Sequence, residues 1–131
     1  MSEWLRKFTV GTGWESTHFS VDVELYADKP SLLAVAEREH GWQPEGTDAV
    51  THCYLDGESP QALIRLPLDD FTIRLVAHEA AHAAVHLTGL LIDTLPTGED
   101  ERIPWFAGEL TAAIWSLGAT SANTVPESEP K

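Results

Sequence analysis

His78-Glu79-Ala80-Ala81-His82 sets two imidazoles four residues apart with a carboxylate between them. On a helix, residues i and i+4 project from the same side about one turn apart, so both imidazoles reach a single metal ion and the carboxylate stands beside them. Neutral imidazoles suit zinc, and a neighbouring carboxylate can take a proton from a water that attacks a carbonyl. The pattern points to metal-dependent hydrolysis of peptide bonds, with His78 and His82 as metal ligands and Glu79 as the catalytic general base. The competing reading makes all three ordinary polar residues of a buried central helix, with Glu79 partnered internally. Burying three ionisable groups on a largely apolar helix is costly, whereas a metal satisfies both imidazoles at once.

A catalytic zinc commonly takes three protein ligands and keeps one position for water, so a third donor must be found. His86 continues the spacing, but it stands roughly 12 Å of helix rise from His78, and three histidines at four-residue steps do not converge on one ion. A supporting, substrate-facing or purely structural place suits it better. Glu101 is the stronger candidate as the third metal ligand. Residues 83–100, eighteen in all, separate it from His82, enough for the rest of one helix, a loop and a second helix returning alongside. Glu99, Asp100 and Glu109 are the alternatives, because acids near a helix start are also favoured by the macrodipole alone. On that second helix Ile103, Phe106, Leu110, Ile114 and Leu117 make a bulky core stripe, while Glu101, Gly108 and Ala112 share the opposite side with Trp105. Small residues there, facing the alanines of the first helix, offer a close approach that would deliver Glu101 to the metal.

Several elements must position these groups. Val21, Val23 and Leu25 alternate with Asp22, Glu24 and Tyr26, the period of a half-buried strand. Ser31 to Glu39 reads as a short helix with Gly41 as its stop. Thr51 to Leu55 and Ala62 to Leu68 read as strands on either side of Asp56-Gly57-Glu58-Ser59-Pro60, which suggests a hairpin. Asp69 or Asp70 can cap a helix from about Phe71 to Leu87, with Gly89 beyond it. That helix is apolar on several sides and belongs in the middle of the domain. The second helix should begin near Glu101, keep Pro104 within its first turn, and end around Gly118. The expected class is α+β, with an N-terminal antiparallel or mixed sheet, a central helix carrying the histidines and a second, C-terminal helix. Residues 1–120 read as one domain and 121–131 as a disordered acidic tail rich in Pro and Ser.

The chain has 131 residues, a size that fits one core. Acidic residues outnumber basic ones 21 to 8, for a formal charge of -13, so phosphate backbones and anionic membranes are repelled on average. No nucleic acid or membrane partner is expected; a peptide or protein substrate is. Cys53 is the only cysteine, which rules out an intrachain disulfide and leaves any metal site to His and carboxylate. It reads as a small apolar residue rather than a nucleophile. Met1 to Val10 lacks an apolar stretch of signal-peptide length and nothing approaches a membrane span, so a soluble cytoplasmic protein is expected. The five tryptophans and His18, His40 and His52 read as packing or exposed residues.

The pattern resembles the gluzincin branch of the zincin metallopeptidases, in which H-E-x-x-H is followed by a glutamate ligand on the next helix, and the eighteen-residue gap matches one spacing of that branch. Residues 99–110, Glu-Asp-Glu-Arg-Ile-Pro-Trp-Phe-Ala-Gly-Glu-Leu, are similar to the acidic-then-aromatic helix start of small phage-type zincins and, less closely, of ImmA/IrrE-like metallopeptidases. The resemblance covers roughly residues 66–117. It implies a small zincin-like domain, zinc on His78, His82 and Glu101, and Glu79 as general base. It also implies an edge strand beside the metal for pairing with an extended peptide, for which Ala62 to Leu68 is the expected position, and a His or Tyr that polarises the scissile carbonyl. Tyr54, Tyr26 and His86 are the candidates for that last role. Pro104 stands where small zincins tend to have alanine, which keeps Glu99 and Asp100 open beside Glu101. A zincin-like module that holds zinc, or binds a protein without cutting it, is the alternative function.

Overall fold

Strand β2 (Thr17–Tyr26) sends Val21, Val23 and Leu25 to one face of a sheet and Glu24 and Tyr26 to the other, the alternation that pleating imposes. The computed structural model describes residues 4–14, 17–43, 46–53, 62–91 and 102–128, with the side chains at 14, 17, 88–91, 102 and 120–128 left out of the description. Four strands form a mixed sheet: β1 (Arg6–Trp14), β2, β3 (Val50–Cys53) and β4 (Ala62–Pro67), in the spatial order β1-β2-β4-β3. β2 and β4 run parallel, and the two outer pairings are antiparallel. The α+β class read from the sequence is thus observed, and β3 with β4 forms the expected antiparallel pair. The turn between them lies outside the described residues.

β4 corrects one expectation. Ala62 to Leu68 was the position assigned to the exposed edge, but β4 is an interior strand paired on both sides, and all six of its residues are buried. A near-continuous apolar run is what burial on both faces demands. Among the described residues, β1 and β3 form the two edges.

One face of the sheet carries Val10, Val21, Val23, Leu25, Ile64 and Leu66, and these share a core with helices α2 (Ile73–Leu91) and α3 (Arg102–Ser128). The helices bring Val76, Ala80, Ala83, Ala84 and Leu87 from α2 and Phe106, Leu110 and Ile114 from α3. Gly108 and Ala112 do not mediate that contact. A Cβ built on Gly108 meets nothing within 4 Å, and both residues line an open apolar groove with Ile73, Ala77 and Trp115. The close approach instead uses the alanines of α2 against the bulky stripe of α3.

The other sheet face packs on α1 (Lys29–His40) through Tyr26, Leu32 and Val35. Asp28 caps α1 by accepting the Ser31 backbone N–H at 2.8 Å, and Gly41, at φ 95°, returns its N–H to the Glu37 carbonyl. Beneath α1 lies Arg65, only 1% exposed, whose Nε donates to Glu24 and to the Tyr26 hydroxyl and whose second nitrogen donates to Glu39. Burial, and then the Glu24 carboxylate that accepts the Tyr26 hydroxyl proton at 2.6 Å, hold that phenol far above its usual range. His40 stacks on His52 at 3.9 Å, and burial first, then the neighbouring His52 and Arg65, pull its pKa down.

The helix boundaries differ from those expected at two places. Leu68–Asp70 form a single 3-10 turn, Phe71 is extended, and Thr72 caps α2 through its hydroxyl, which accepts the Leu75 N–H at 3.1 Å. Asp69 and Asp70 are therefore not the cap. α3 starts next to Glu101 with Pro104 in its first turn, as expected, but it runs through Gly118 to Ser128. Gly118 is a packing residue. A Cβ there would lie 2.3 Å from the Phe71 ring, which stacks on Trp115 one turn earlier at a centroid distance of 5.3 Å. No helix among the described residues is long and apolar enough to cross a membrane.

Replacing Gly118 with Ala should destabilise the fold by about 1–3 kcal/mol through overpacking, a loss that helix propensity offsets by no more than ~1 kcal/mol. Urea denaturation checks this, and in a Phe71→Ala background the same change should become neutral or stabilising.

Candidate functional site

The cap at Thr72 sets where α2 begins, and the helical period then decides which of its residues meet the core. Val76, Ala80, Ala83, Ala84 and Leu87 go inward, so Arg74, His78, His82 and His86, spaced at four, form one outward stripe. All four line a cleft of about 410 Å³ between α2 and the segment that leads into β3. The imidazoles of His78 and His82 are exposed within it, which removes the reading of both as buried helix residues. Their rings lie edge to face, 4.8 Å between centroids, with the two Nε2 atoms 3.2 Å apart.

Two nitrogen ligands at about 2.0–2.1 Å from a tetrahedral zinc stand roughly 3.3 Å from each other. The spacing of the pair matches the one a divalent ion needs and is equally that of a direct imidazole–imidazole hydrogen bond, and imidazole nitrogen is a donor type zinc prefers. His86 follows with its ring 6.4 Å from that of His82 and does not join the pair, as the rise along the helix requires.

Glu79 occupies the junction between the cleft and the core. It is 5% exposed, yet it lines the cleft, and its Oε1 accepts a hydrogen bond of 2.6 Å from the Thr51 hydroxyl. Thr51 pairs with Ile64 in the β3–β4 register, so it projects to the helix-bearing face, as does Cys53 opposite Ala62. Edge strand β3 thus runs beside the histidine pair. Its partner along the cleft is the stretch from Gly46 to Ala49, where Asp48 is held by Lys29 of α1 at 2.6 Å. That hydrogen bond and the lysine charge keep the Asp48 carboxyl below its usual range.

Not all the candidates assemble. Glu99, Asp100 and Glu101 lie outside the described residues, and Glu109 is exposed on α3 without lining the cleft. Among the described residues no three His, Cys, Asp or Glu side chains converge on one point. Tyr26 is buried on the opposite sheet face in the Arg65 cluster and cannot polarise a carbonyl in the cleft. Tyr54 lies outside the described residues, which leaves His86 as the one of the three placed at the cleft. Cys53 packs against the core, and burial pushes its thiol pKa up.

Thr51, Arg74 and Asp48 escaped the sequence reading. Arg74 carried a usable signal, since it stands four residues before His78 on the same stripe. Thr51 carried none, because only strand register brings it to Glu79. No family model matches the chain, and no curated protein or solved structure is similar to it.

Thr51→Val should cost about 1–3 kcal/mol in stability, since it strips the donor from a buried carboxylate. Denaturation of the metal-free protein checks this, and the cost should shrink when Glu79 is already Gln.

Proposed function

We propose that this chain is a small zinc-dependent peptidase of the zincin type. The observation that carries the proposal is the His78–His82 pair, with Nε2 atoms 3.2 Å apart in an open cleft that also contains the Glu79 carboxylate. His78 and His82 would hold the ion, and Glu101, one residue before α3, remains the proposed third ligand. Zinc held there would supply Lewis acidity, lowering the pKa of a water and polarising a carbonyl.

The remaining work falls to the protein's own side chains. Glu79 takes the proton of the attacking water on its carboxylate and returns it to the departing amine. Thr51 occupies Oε1 and so orients the group, leaving Oε2 for that proton. β3 pairs only with β4 among the described residues, so its outer edge offers backbone N–H and C=O groups to an extended peptide as an added strand. The substrate backbone is then aligned along the cleft, past the histidines. His86 lines the same cleft and would be the donor to a substrate carbonyl in this reading.

A second reading follows from the Thr51–Glu79 bond. A buried carboxylate that ties a helix to an edge strand also suits a module that holds zinc and binds a protein without cutting it. One variant separates the two. Glu79→Gln should retain zinc while cleavage of a broad peptide library falls by about 10²–10⁴-fold, the usual contribution of general acid–base catalysis. Wild-type protein that is loaded with zinc and cleaves nothing in the library would favour the binding module.

His78→Ala and His82→Ala should each weaken zinc affinity by at least about tenfold, since either change leaves a single imidazole at the site. Calorimetric titration against wild type measures it.

A further inference from the structure

Among the described residues Arg74 is the only lysine or arginine that lines the cleft, in a chain with 8 basic and 21 acidic residues. Its position is electrostatically poor for a cation. It is the second residue of α2, two after the Thr72 cap, where the helix dipole presents its positive end and favours acids. Its side chain is exposed, and the acid its charge acts on in the cleft is Asp48. Asp48, the acid that shares the cleft wall with it, already has Oδ1 engaged by Lys29 at 2.6 Å. A guanidinium and the start of a helix therefore present positive potential together at one end of the cleft, where Lys29 already offsets the Asp48 charge.

We infer that Arg74 is the specificity-determining residue of this cleft and receives a carboxylate of the bound peptide. The inference rests on the peptidase reading and names its substrate class. A planar guanidinium matches a carboxylate with two parallel N–H···O bonds, and the helix N-terminus adds to the same attraction. Arg74 precedes His78 by one helical turn, about 6 Å of rise, which corresponds to about two residues of extended chain at roughly 3.3 Å each. The recognised carboxylate therefore sits within about three residues of the bond over the histidine pair. Both an internal Asp or Glu side chain and a free C-terminus supply that chemistry at that distance.

The test uses the zinc-loaded full chain and two pools of random octapeptides, one with free and one with amidated C-termini, with cleavage sites read by mass spectrometry. Wild type should enrich carboxylates near the cleaved bond by about tenfold, the factor carried by one charge-assisted hydrogen bond. Enrichment of Asp or Glu at one position in both pools identifies a side chain as the source. Preference for the free-acid pool, with cleavage close to the C-terminus, identifies the terminal carboxylate. Arg74→Gln should remove the enrichment and Arg74→Glu should replace it with Lys or Arg, with melting temperatures equal to wild type or slightly higher, since an acid suits the first turn of a helix. No carboxylate enrichment in wild type, or enrichment that survives Arg74→Gln, would overturn the inference while leaving the peptidase intact. If wild type cleaves neither pool, the peptides retained by the zinc-loaded Glu79→Gln variant decide. Carboxylate enrichment among them that Arg74→Gln abolishes sustains the inference and sinks only the catalytic reading; its absence sinks both.

Discussion

The hydrogen bond from the Thr51 hydroxyl to the Glu79 carboxylate joins the edge strand to the middle of α2, and the rotation of that helix about its axis is set with it. With Glu79 turned toward β3, Val76, Ala80, Ala83 and Leu87 enter the core and His78 and His82 emerge together in the cleft. A turn of the helix by one residue, about 100°, would bury an imidazole and expose an alanine that now packs against α3. The same bond keeps a carboxylate nearly out of solvent yet at the cleft wall. Strand β3 and helix α2 are thus joined through the Thr51 hydroxyl, which also lies 3.3 Å from the Glu79 backbone carbonyl, across 28 residues of sequence.

The sheet has to deliver β3 to that contact, and its two faces do so in different ways. On the helix-bearing side the packing is apolar, with aliphatic residues of β1, β2 and β4 against α2 and α3. On the α1 side a charge cluster binds the parallel pair: Arg65 of β4 reaches Glu24 and Tyr26 of β2 and Glu39 of α1. Removing one member of a buried ion cluster is strongly destabilising, because it leaves the remaining charge uncompensated. The cluster bridges β2 and β4, the pair on which the position of β3 depends.

Much of this was legible where a local period or motif carries the information. The alternation of Val21, Val23 and Leu25 marked β2, the two apolar runs marked β3 and β4, and the four-residue histidine spacing marked the cleft-facing stripe of α2. What was missed depends on partners distant in sequence. Ala62 to Leu68 reads equally as an edge or a central strand until its neighbours are known, although its apolar character, interrupted only by Arg65, was the available hint. Gly118 has the composition of a helix stop and is instead the space that the Phe71 ring fills. Asp69 and Asp70 have the composition of a cap, but the extended Phe71 moves that role to Thr72. Of the site, the pair and its carboxylate were legible from one motif, whereas Thr51 enters only through strand register.

The central claim is that His78 and His82 share one zinc ion. X-ray absorption at the zinc edge, on protein loaded to saturation and freed of excess metal, tests it directly. The account predicts one zinc per chain, with two imidazole nitrogens at about 2.0–2.1 Å and oxygen completing the shell. A chain that retains no zinc, or a metal shell without a pair of imidazoles, would contradict it.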